Sequence, residues 1–245
     1  MDEIIVKDLN INYGDIKLLD EISLKIQSGK IVALLGSSGS GKSLIATTIM
    51  GYLANNLKMS GDIALKSDEV LKDKLAFIMQ NPRTAFNPLF SIRNCVYESL
   101  EARGLEKDNV RIVNVFNSVG LEESVLNLHP HECSGGMLQR VMIAIALLSN
   151  TSFIIADEPT SDLDLLSQAA VLDILESLKI HENMGILLIT HDFGVVARLA
   201  DYVYIIENGR IIEQNDCLEL FLNPKTDLST KLIKAHLALY GEFDA

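Results

Sequence analysis

The sequence contains no tryptophan, only five prolines and only three cysteines among its 245 residues. The cysteines, at positions 95, 133 and 217, are widely separated, so neither a disulfide framework nor a four-cysteine zinc site is indicated. The longest hydrophobic run, 141–148, is far shorter than the roughly 20 residues that cross a bilayer. The opening Met1-Asp2-Glu3 lacks the basic and then apolar character of a secretory signal. We therefore expect a protein of a reducing, cytosolic compartment.

Basic residues are also scarce. The sequence has 21 lysines and arginines against 33 aspartates and glutamates, which gives a formal net charge of −12 at pH 7. Such a chain repels phosphate backbones and anionic lipid headgroups at long range, so no nucleic acid and no bare membrane surface is expected as its main partner. Local anion sites remain possible, because they depend on nearby groups. The 48% apolar and 22% charged residues are ordinary for a soluble globular protein.

Strand patterns alternate with helical patterns along the chain. The first residues alternate apolar and polar, with turns at Tyr13-Gly14-Asp15 and Ser28-Gly29, which predicts a short N-terminal antiparallel β region. Continuous apolar runs, typical of strands buried on both faces, lie at 31–35, 75–79, 153–156 and 186–189. Because helical patterns separate these runs, the sequence predicts an α/β fold with a mostly parallel sheet.

One long stretch interrupts this alternation. From about residue 86 to residue 149 we find helical patterns and no convincing strand, which predicts a helical insertion between two core strands. The chain then continues with strands at 202–207 and 210–214, joined by an Asn208-Gly209 hairpin turn, and with two terminal helices.

A glycine-rich loop follows the strand at 31–35. It fits the P-loop pattern G-x-x-x-x-G-K-[ST] in full, with Gly36, Ser37, Ser38, Gly39, Ser40, Gly41, Lys42 and Ser43. Glycines let backbone N–H groups approach a triphosphate closely, and the next helix presents its N-terminal partial charge to the anion. Lys42 adds a charge for the β- and γ-phosphates, and the Ser43 hydroxyl is placed for Mg²⁺. The loop predicts a nucleotide site on a P-loop NTPase core.

An acidic pair, Asp157-Glu158, follows the apolar run at 153–156. It lies at the carboxyl end of a predicted strand, where ligands of such folds gather. Asp157 can hold Mg²⁺ through a water, and Glu158 can orient an attacking water or take its proton. The alternative is an acidic cap of the next helix. Beside a complete P-loop, the pair favours a nucleotide-hydrolysing site.

A third motif, Ser134-Gly135-Gly136-Met137-Leu138-Gln139, precedes the acidic pair. At this point the chain resembles the nucleotide-binding subunit of an ABC transporter over nearly its whole length. The motifs of that family occur in order, and their joint order and spacing are highly specific. They are an aromatic residue (Tyr13), the P-loop, a glutamine (Gln80), this signature motif, the acidic pair, a D-loop (Ser161-Asp162-Leu163-Asp164) and a switch histidine (His191).

The resemblance implies that ATP and Mg²⁺ are the cofactors. It also implies that two such domains pack head to tail, each closing the ATP site of the other. The residues implied to serve the nucleotide across this pair are Ser134, Gly135, Gly136, Gln139 and Asp164. The resemblance further implies that Gln80 contacts Mg²⁺ together with Ser43 and Asp157.

The resemblance also implies roles for single side chains. Tyr13 would stack on adenine, with an ordinary strand aromatic as the alternative. Gln80 would touch the attacking water, with a polar loop residue as the alternative. His191 would hydrogen-bond the γ-phosphate and hold Glu158 in position. Glu158, His191 and Gln80 form the predicted catalytic group.

The whole chain, 1–245, is expected to be a single ABC ATPase domain, with 1–85 and 150–245 as its α/β core and 86–149 as a helical subdomain. Two positions depart from the family pattern. Cys133 stands where the signature usually opens with leucine, and we expect little effect because both side chains are apolar. Asp162 stands where the D-loop usually has alanine, which adds charge near the expected contact between subunits.

The tract His129-Pro130-His131-Glu132-Cys133 is superficially similar to a metal site. Its spacing is cramped for one ion because Pro130 stiffens it, and no further ligand cluster is near in the sequence. The family also has Pro-His-Glu before its signature. A structural role is therefore expected.

The run 80–88 resembles that of the peptide and nickel importers, and the short C-terminal region resembles the nickel-type members. We therefore expect the ATP-hydrolysing subunit of an ABC importer, with nickel or a related metal complex placed ahead of oligopeptides as cargo. Phe86, Leu89 and Phe90 would line a groove for a helix of the membrane permease, or would pack in the core.

The partners expected are membrane permease subunits and a second ABC ATPase subunit, with a heterodimer favoured over a homodimer. An extracytoplasmic solute-binding protein would act indirectly. The chain would lie peripherally at the cytoplasmic face of the cell membrane, bound through protein. One alternative is a soluble ABC-type ATPase acting on nucleic acid or ribosomes, which the single cassette and the acidic charge disfavour. Another is a degenerate nucleotide-binding module, which the complete set of motifs disfavours.

Overall fold

A computed structural model describes residues 2–67 and 69–240 of the chain. In chain order the strands and helices are β1 (Glu3–Tyr13), β2 (Ile16–Gln27), β3 (Ile31–Leu35), α1 (Lys42–Ile49), β4 (Leu57–Leu65), β5 (Leu75–Ile78), α2 (Ile92–Ala102), α3 (Asn109–Ser118), α4 (Gly135–Leu148), β6 (Phe153–Asp157), α5 (Leu165–His181), β7 (Gly185–Thr190), α6 (Phe193–Leu199), β8 (Tyr202–Glu207), β9 (Arg210–Asp216), α7 (Cys217–Leu222) and α8 (Asp227–Tyr240). The predicted core strands agree with these bounds to within two residues.

The larger sheet has the strand order β5-β6-β7-β3-β8-β9. Every pair in it is parallel except β8 with β9, so the prediction of a mostly parallel α/β fold is confirmed. All residues of β3, β6 and β7 are buried, which explains their uninterrupted apolar sequences. Because β6, β7 and β3 are neighbours, the segments that follow their carboxyl ends meet at one edge of the sheet.

The smaller sheet is antiparallel, with the order β2-β1-β4. Its first two strands bury alternate residues, as the period-two pattern predicts. The third strand, β4, was not expected from the sequence. It is an edge strand with no fully buried residue, so it lacks the apolar alternation by which strands are recognised. It pairs with β1 from Ile4↔Leu65 to Tyr13↔Leu57.

The stretch 86–149 contains α2, α3 and α4 and no strand. Side chains cap the first turn of each helix, with Ser91, Asp108 and Ser134 accepting backbone N–H groups. Helix α4 is mostly buried, and its apolar residues share one core cluster with strand residues such as Ile78 and Ile154. This packing attaches the helical stretch to one face of the larger sheet. Its status as a separate subdomain stays a prediction.

The start of the last helix, α8, is attached to β9 through a buried carboxylate. Glu213 is 6% exposed; its Oε1 accepts the Lys225 N–H at 2.8 Å and its Oε2 accepts the Thr226 N–H at 2.9 Å and the Ser229 hydroxyl. Burial alone would raise the pKa of Glu213, but these hydrogen bonds outweigh burial and hold the pKa below the ordinary value of 4.5. Glu213 therefore stabilises the start of α8 as an anion.

Replacement of Glu213 by glutamine is expected to lower the free energy of unfolding by about 1–3 kcal/mol at neutral pH, because an amide nitrogen cannot accept these hydrogen bonds. Since the pKa of Glu213 is lower in the folded chain, its stabilisation is complete above the unfolded value and is lost as pH falls through the folded value. Urea unfolding at several pH values measures this difference. Glu182→Gln, at an exposed position after α5, is the control; an undiminished E213Q effect well below pH 4.5 would contradict the assignment.

Candidate active site

The P-loop between β3 and α1 is fixed by close packing. A Cβ at Gly36 would lie 2.3 Å from the carbonyl oxygen of Ile206, and a Cβ at Gly41 would lie 2.6 Å from the side chain of Leu19. Gly41 also has a φ of 108°, a conformation that suits glycine. The backbone N–H of Gly209 donates to the carbonyl of Ser40 at 3.0 Å. These contacts set the loop against β2 and the β8–β9 hairpin, so packing within the chain shapes its backbone.

Lys42 lies at the start of α1 and is 6% exposed. Its ammonium donates to the carbonyl oxygens of Gly36 at 2.7 Å and Ser37 at 2.8 Å. Burial lowers the pKa of Lys42, while the charges of Glu158 and Asp157 oppose that shift. The side chain therefore holds a positive charge against the inside of the P-loop.

Asp157 ends β6 and is 7% exposed. Burial raises the pKa of its carboxyl and the charge of Glu158 adds to this, whereas a hydrogen bond from Ser43 and the charge of Lys42 lower it. Its Oδ1 is buried and has no hydrogen-bond partner among the described residues. A buried, unsatisfied carboxylate oxygen beside a serine hydroxyl matches the oxygen ligands that Mg²⁺ prefers.

Glu158 is held at both oxygens. Its Oε1 lies 2.7 Å from Nδ1 of His191, which follows β7, and its Oε2 accepts the Ser161 hydroxyl at 2.7 Å. Its φ of 51° places it in the left-handed region, at a cost of about 1–3 kcal/mol for a residue with a Cβ. Its backbone N–H donates to the Ile189 carbonyl at 2.8 Å. The neighbouring strand thus holds its backbone, while its carboxylate is held by His191 and by Ser161.

A cavity of about 390 Å³ lies between the P-loop and Glu158, and it is lined by Leu18, Ser38, Gly39, Gly41, Lys42, Ser43, Leu44, Gln80 and Glu158. The structure thus brings Gln80 to the P-loop from 37 residues further along the sequence. Leu18 and Leu44 were not identified by sequence analysis, because an apolar residue of a strand or helix carries no local signal of a site. The predicted Tyr13 is 51% exposed at the end of β1 and does not line this cavity.

Ser37 and Ser40 complete the P-loop. Ser37 contributes its carbonyl to Lys42, and Ser40 is 4% exposed with a hydroxyl that has no hydrogen-bond partner among the described residues. Both residues shape the loop rather than line the cavity.

The signature motif does not line this cavity. The Ser134 hydroxyl accepts the Met137 N–H at 3.1 Å and caps α4. Gly135 and Gly136 lie against the start of α5, where a Cβ would meet Leu163 at 3.3 Å and the Ser167 hydroxyl at 2.5 Å respectively. Within one chain, the P-loop cavity and the signature are therefore separate groups.

Gln139, at the end of the signature motif, and Asp164, in the D-loop, have different surroundings within the chain. Gln139 is 1% exposed, and its Nε2 has no hydrogen-bond partner among the described residues. Asp164 caps α5 by accepting the N–H groups of Leu166 and Ser167 and the Ser167 hydroxyl. The hydrogen bonds from Ser167 lower the pKa of Asp164. Roles for both residues at a nucleotide stay predictions.

The two departures from the family pattern have distinct surroundings. Cys133 is 4% exposed and belongs to the core cluster of the helical stretch, where a small apolar side chain fits. Asp162 is exposed with a φ of 61°, a conformation that aspartate tolerates better than alanine.

The tract 129–133 has a structural explanation. The Glu132 carboxylate accepts the backbone N–H of His129 at 2.7 Å and caps a short turn. In the part of the chain that the structure describes, no group of three or more His, Cys, Asp or Glu side chains is arranged to hold a metal ion. Across residues 2–67 and 69–240, no helix combines the length and hydrophobicity needed to span a membrane.

Comparison with known proteins places these features in a family. A family model described as "ABC transporter" matches residues 19–161. The nickel import ATP-binding protein NikD of Brucella abortus biovar 1 is 46% identical over 234 residues, which are 91% of this chain and 89% of that protein. The oligopeptide transport ATP-binding protein OppD of Lactococcus lactis subsp. cremoris is 39% identical over 237 residues, which are 90% of this chain and 70% of that protein.

Two solved structures are similar to this chain in fold. The structure of an ATP binding subunit of an ABC transporter has a TM-score of 0.78 at 26% identity, covering 94% of this chain and 98% of its own. The structure of cbiO1 from Clostridium perfringens, part of the ABC transporter complex cbiONQ, also has a TM-score of 0.78 at 26% identity, covering 96% and 94%.

The chain therefore belongs to the ABC transporter family, and its fold and site define an ATP-binding ATPase. Within that family it matches the peptide and nickel importer group, as its motifs predict. A soluble ATPase acting on nucleic acid or ribosomes is not favoured by these relatives.

Replacement of Lys42 by alanine is expected to weaken ATP binding by about 10- to 100-fold, because a buried, charge-assisted contact to phosphate is lost. Equilibrium titration with ATP measures the change. Lys7→Ala, at an exposed position of β1, should bind ATP as the unaltered chain does. Equal ATP affinities of K42A and K7A would show that Lys42 does not contribute to ATP binding.

Proposed function

We propose that this subunit hydrolyses Mg-ATP to power the import of nickel or a nickel complex through a membrane permease. The observation that carries the hydrolytic part is Glu158, which faces the P-loop cavity with both oxygens held. The nickel assignment is supported by relatives named as nickel import ATP-binding proteins at 45–46% identity, against 39% for the oligopeptide transport relative.

Ser43, Asp157 and Gln80 would hold the magnesium ion. The Asp157 Oδ1 has no hydrogen-bond partner among the described residues, the Ser43 hydroxyl lies beside the Asp157 carboxylate, and Gln80 lines the cavity; these three observations support this set. When bound, Mg²⁺ neutralises part of the charge on the β- and γ-phosphate oxygens.

Lys42 and Glu158 perform complementary tasks in the proposed mechanism. The Lys42 ammonium exchanges its P-loop carbonyl partners for phosphate oxygens when ATP enters the cavity. The Glu158 carboxylate orients the attacking water and accepts its proton, and His191 keeps the carboxylate turned toward the cavity. His191 would also donate to the γ-phosphate.

A second ATPase subunit completes the site in this proposal. The signature residues Ser134, Gly135 and Gly136 lie away from the chain's own cavity, which supports a role toward the ATP of a facing subunit. Tyr13 would stack on adenine, Asp164 would contact the site of the facing subunit, and Gln139 would serve the nucleotide as part of the signature motif. We propose a heterodimer, with a homodimer as the other outcome of purification.

The permease is proposed to dock beside the helical stretch, at the cytoplasmic face of the membrane. A groove of about 300 Å³ lies there, lined by Phe77, Met79, Ala85, Phe86, Asn87, Cys95, Glu98, Ser99, Ala102, Met142 and Ile145. Phe86 is 8% exposed and belongs to the core, whereas Leu89 and Phe90, which follow it, are 82% and 37% exposed. Leu89 and Phe90 do not line this groove, but their exposure favours contact with a partner. A solute-binding protein would then act only through the permease.

The proposed domain organisation is one ABC ATPase domain over 1–245, with 1–85 and 150–245 as the core and 86–149 as the helical subdomain. The absence of strands between β5 and β6 supports these limits.

Glu158→Gln is expected to keep ATP affinity, abolish ATP turnover and prolong the life of the ATP-bound dimer, because an amide is not a base. In cells that express the complete transporter, it should also stop the accumulation of radioactive nickel. ATP hydrolysis by the purified complex and nickel uptake by the cells measure the two effects. Glu106→Gln, at an exposed position, is the matched control. Turnover by E158Q at the normal rate refutes the catalytic role, and uptake of oligopeptides in place of nickel refutes the cargo.

Leu89→Asp is expected to reduce copurification of the permease by about tenfold or more, because a charge would enter an apolar contact at a cost of at least about 1.4 kcal/mol. ATP binding by the isolated subunit should not change. Leu218→Asp, on α7 and 70% exposed, is the control. Equal permease recovery with L89D and L218D would place the docking surface elsewhere.

A further inference from the structure

We infer that Ser161 is a positioning residue for ATP hydrolysis, because its hydroxyl fixes the second oxygen of Glu158. The inference rests on the proposed role of Glu158 as the residue that orients the attacking water. Ser161 itself does not line the P-loop cavity, but it contacts Glu158, which does.

A glutamate needs more than one contact to present its carboxylate in a single orientation. The terminal torsion of this side chain is broad and roughly two-fold, so its rotamer does not fix the plane of the carboxylate. His191 holds Oε1 at 2.7 Å, but a single contact leaves the carboxylate free to pivot about that oxygen. The Ser161 hydroxyl donates to Oε2 at 2.7 Å and removes this freedom.

The two contacts come from different parts of the fold. His191 follows β7, whereas Ser161 lies three residues after Glu158, in the turn before α5. The same turn is closed by the backbone N–H of Ser161, which donates to the Glu158 carbonyl at 3.1 Å. The carboxylate plane is therefore set by the strand on one side and by the turn on the other.

The turn itself is braced by α5. The side-chain amide of Gln168 donates to the carbonyls of Thr160 at 3.3 Å and Leu163 at 3.1 Å. Pro159 and Thr160 are buried. The backbone on both sides of Ser161 is therefore held by packing and by hydrogen bonds that do not involve the Glu158 carboxylate, as a positioning group requires.

Loss of the Ser161 hydroxyl is expected to affect catalysis through the orientation of the Glu158 carboxylate. The Ser161 hydroxyl donates to Glu158 and acts only through it, so its loss leaves the P-loop contacts to ATP in place. A carboxylate that pivots spends less time aligned with the water, which lowers kcat without weakening the binding of ATP.

The test uses the transporter complex purified through a tag on this chain, with Ser161→Ala and Ser161→Thr. We expect S161A to lower kcat by about tenfold or more, while KM for ATP stays within about twofold. S161T retains the hydroxyl and should recover most of the rate. Ser118→Ala is the control, because this α3 serine donates to the Val115 carbonyl far from the site along the chain. Thermal unfolding of each variant identifies a folding defect.

The E158Q variant of the same complex gives the background rate of ATP hydrolysis. It also distinguishes a failure of the role proposed for Glu158 from a failure of the role inferred for Ser161. If E158Q hydrolyses ATP normally, the proposed role of Glu158 fails. If E158Q is inactive but S161A matches the unaltered complex, only the role of Ser161 is overturned. A rate of S161T as low as that of S161A also overturns it, because the hydroxyl is then not the group that acts.

Discussion

The parallel pairing of β6, β7 and β3 is the constraint on which the active site depends. It brings the ends of three strands to one edge of the sheet, so that the acidic pair, His191 and the P-loop become neighbours. Parallel strands cannot be joined by tight turns, and each must be followed by a long connection. The residues of the site are therefore distant in sequence, and the pairing of the strands brings them close together in space.

Opposite charges at this edge of the sheet partly offset one another. Lys42 is buried in the P-loop, where burial disfavours its charge and the carboxylates of Asp157 and Glu158 favour it. For Asp157, burial raises the pKa and the charge of Lys42 opposes that rise. Each group makes the burial of the other less costly, because opposite charges attract strongly away from water. An acidic chain can thus maintain a local anion site.

The signature motif is packed against the turn that follows Glu158. Gly135 and Gly136 lie against Leu163 and Ser167 at the start of α5, and the turn that leads into α5 carries Ser161. A Cβ at Gly136 would overlap the Ser167 hydroxyl, so only glycine allows this approach. The surface proposed to serve a facing subunit is therefore packed against the segment that holds Glu158.

The order of core strands, the P-loop, the acidic pair and the helical stretch could be predicted from the sequence, because each depends on local periodicity or on a motif with a physical role. The edge strand β4, the cavity residues Leu18 and Leu44 and the contact of Ser161 with Glu158 could not, since none has a distinctive local pattern. The sequence by itself determined the chemical groups and their order along the chain. Only the tertiary structure decided which oxygens are held, which polar atoms are left without partners and which glycines must lack a Cβ, because these depend on contacts between segments that the chain brings together only when it folds.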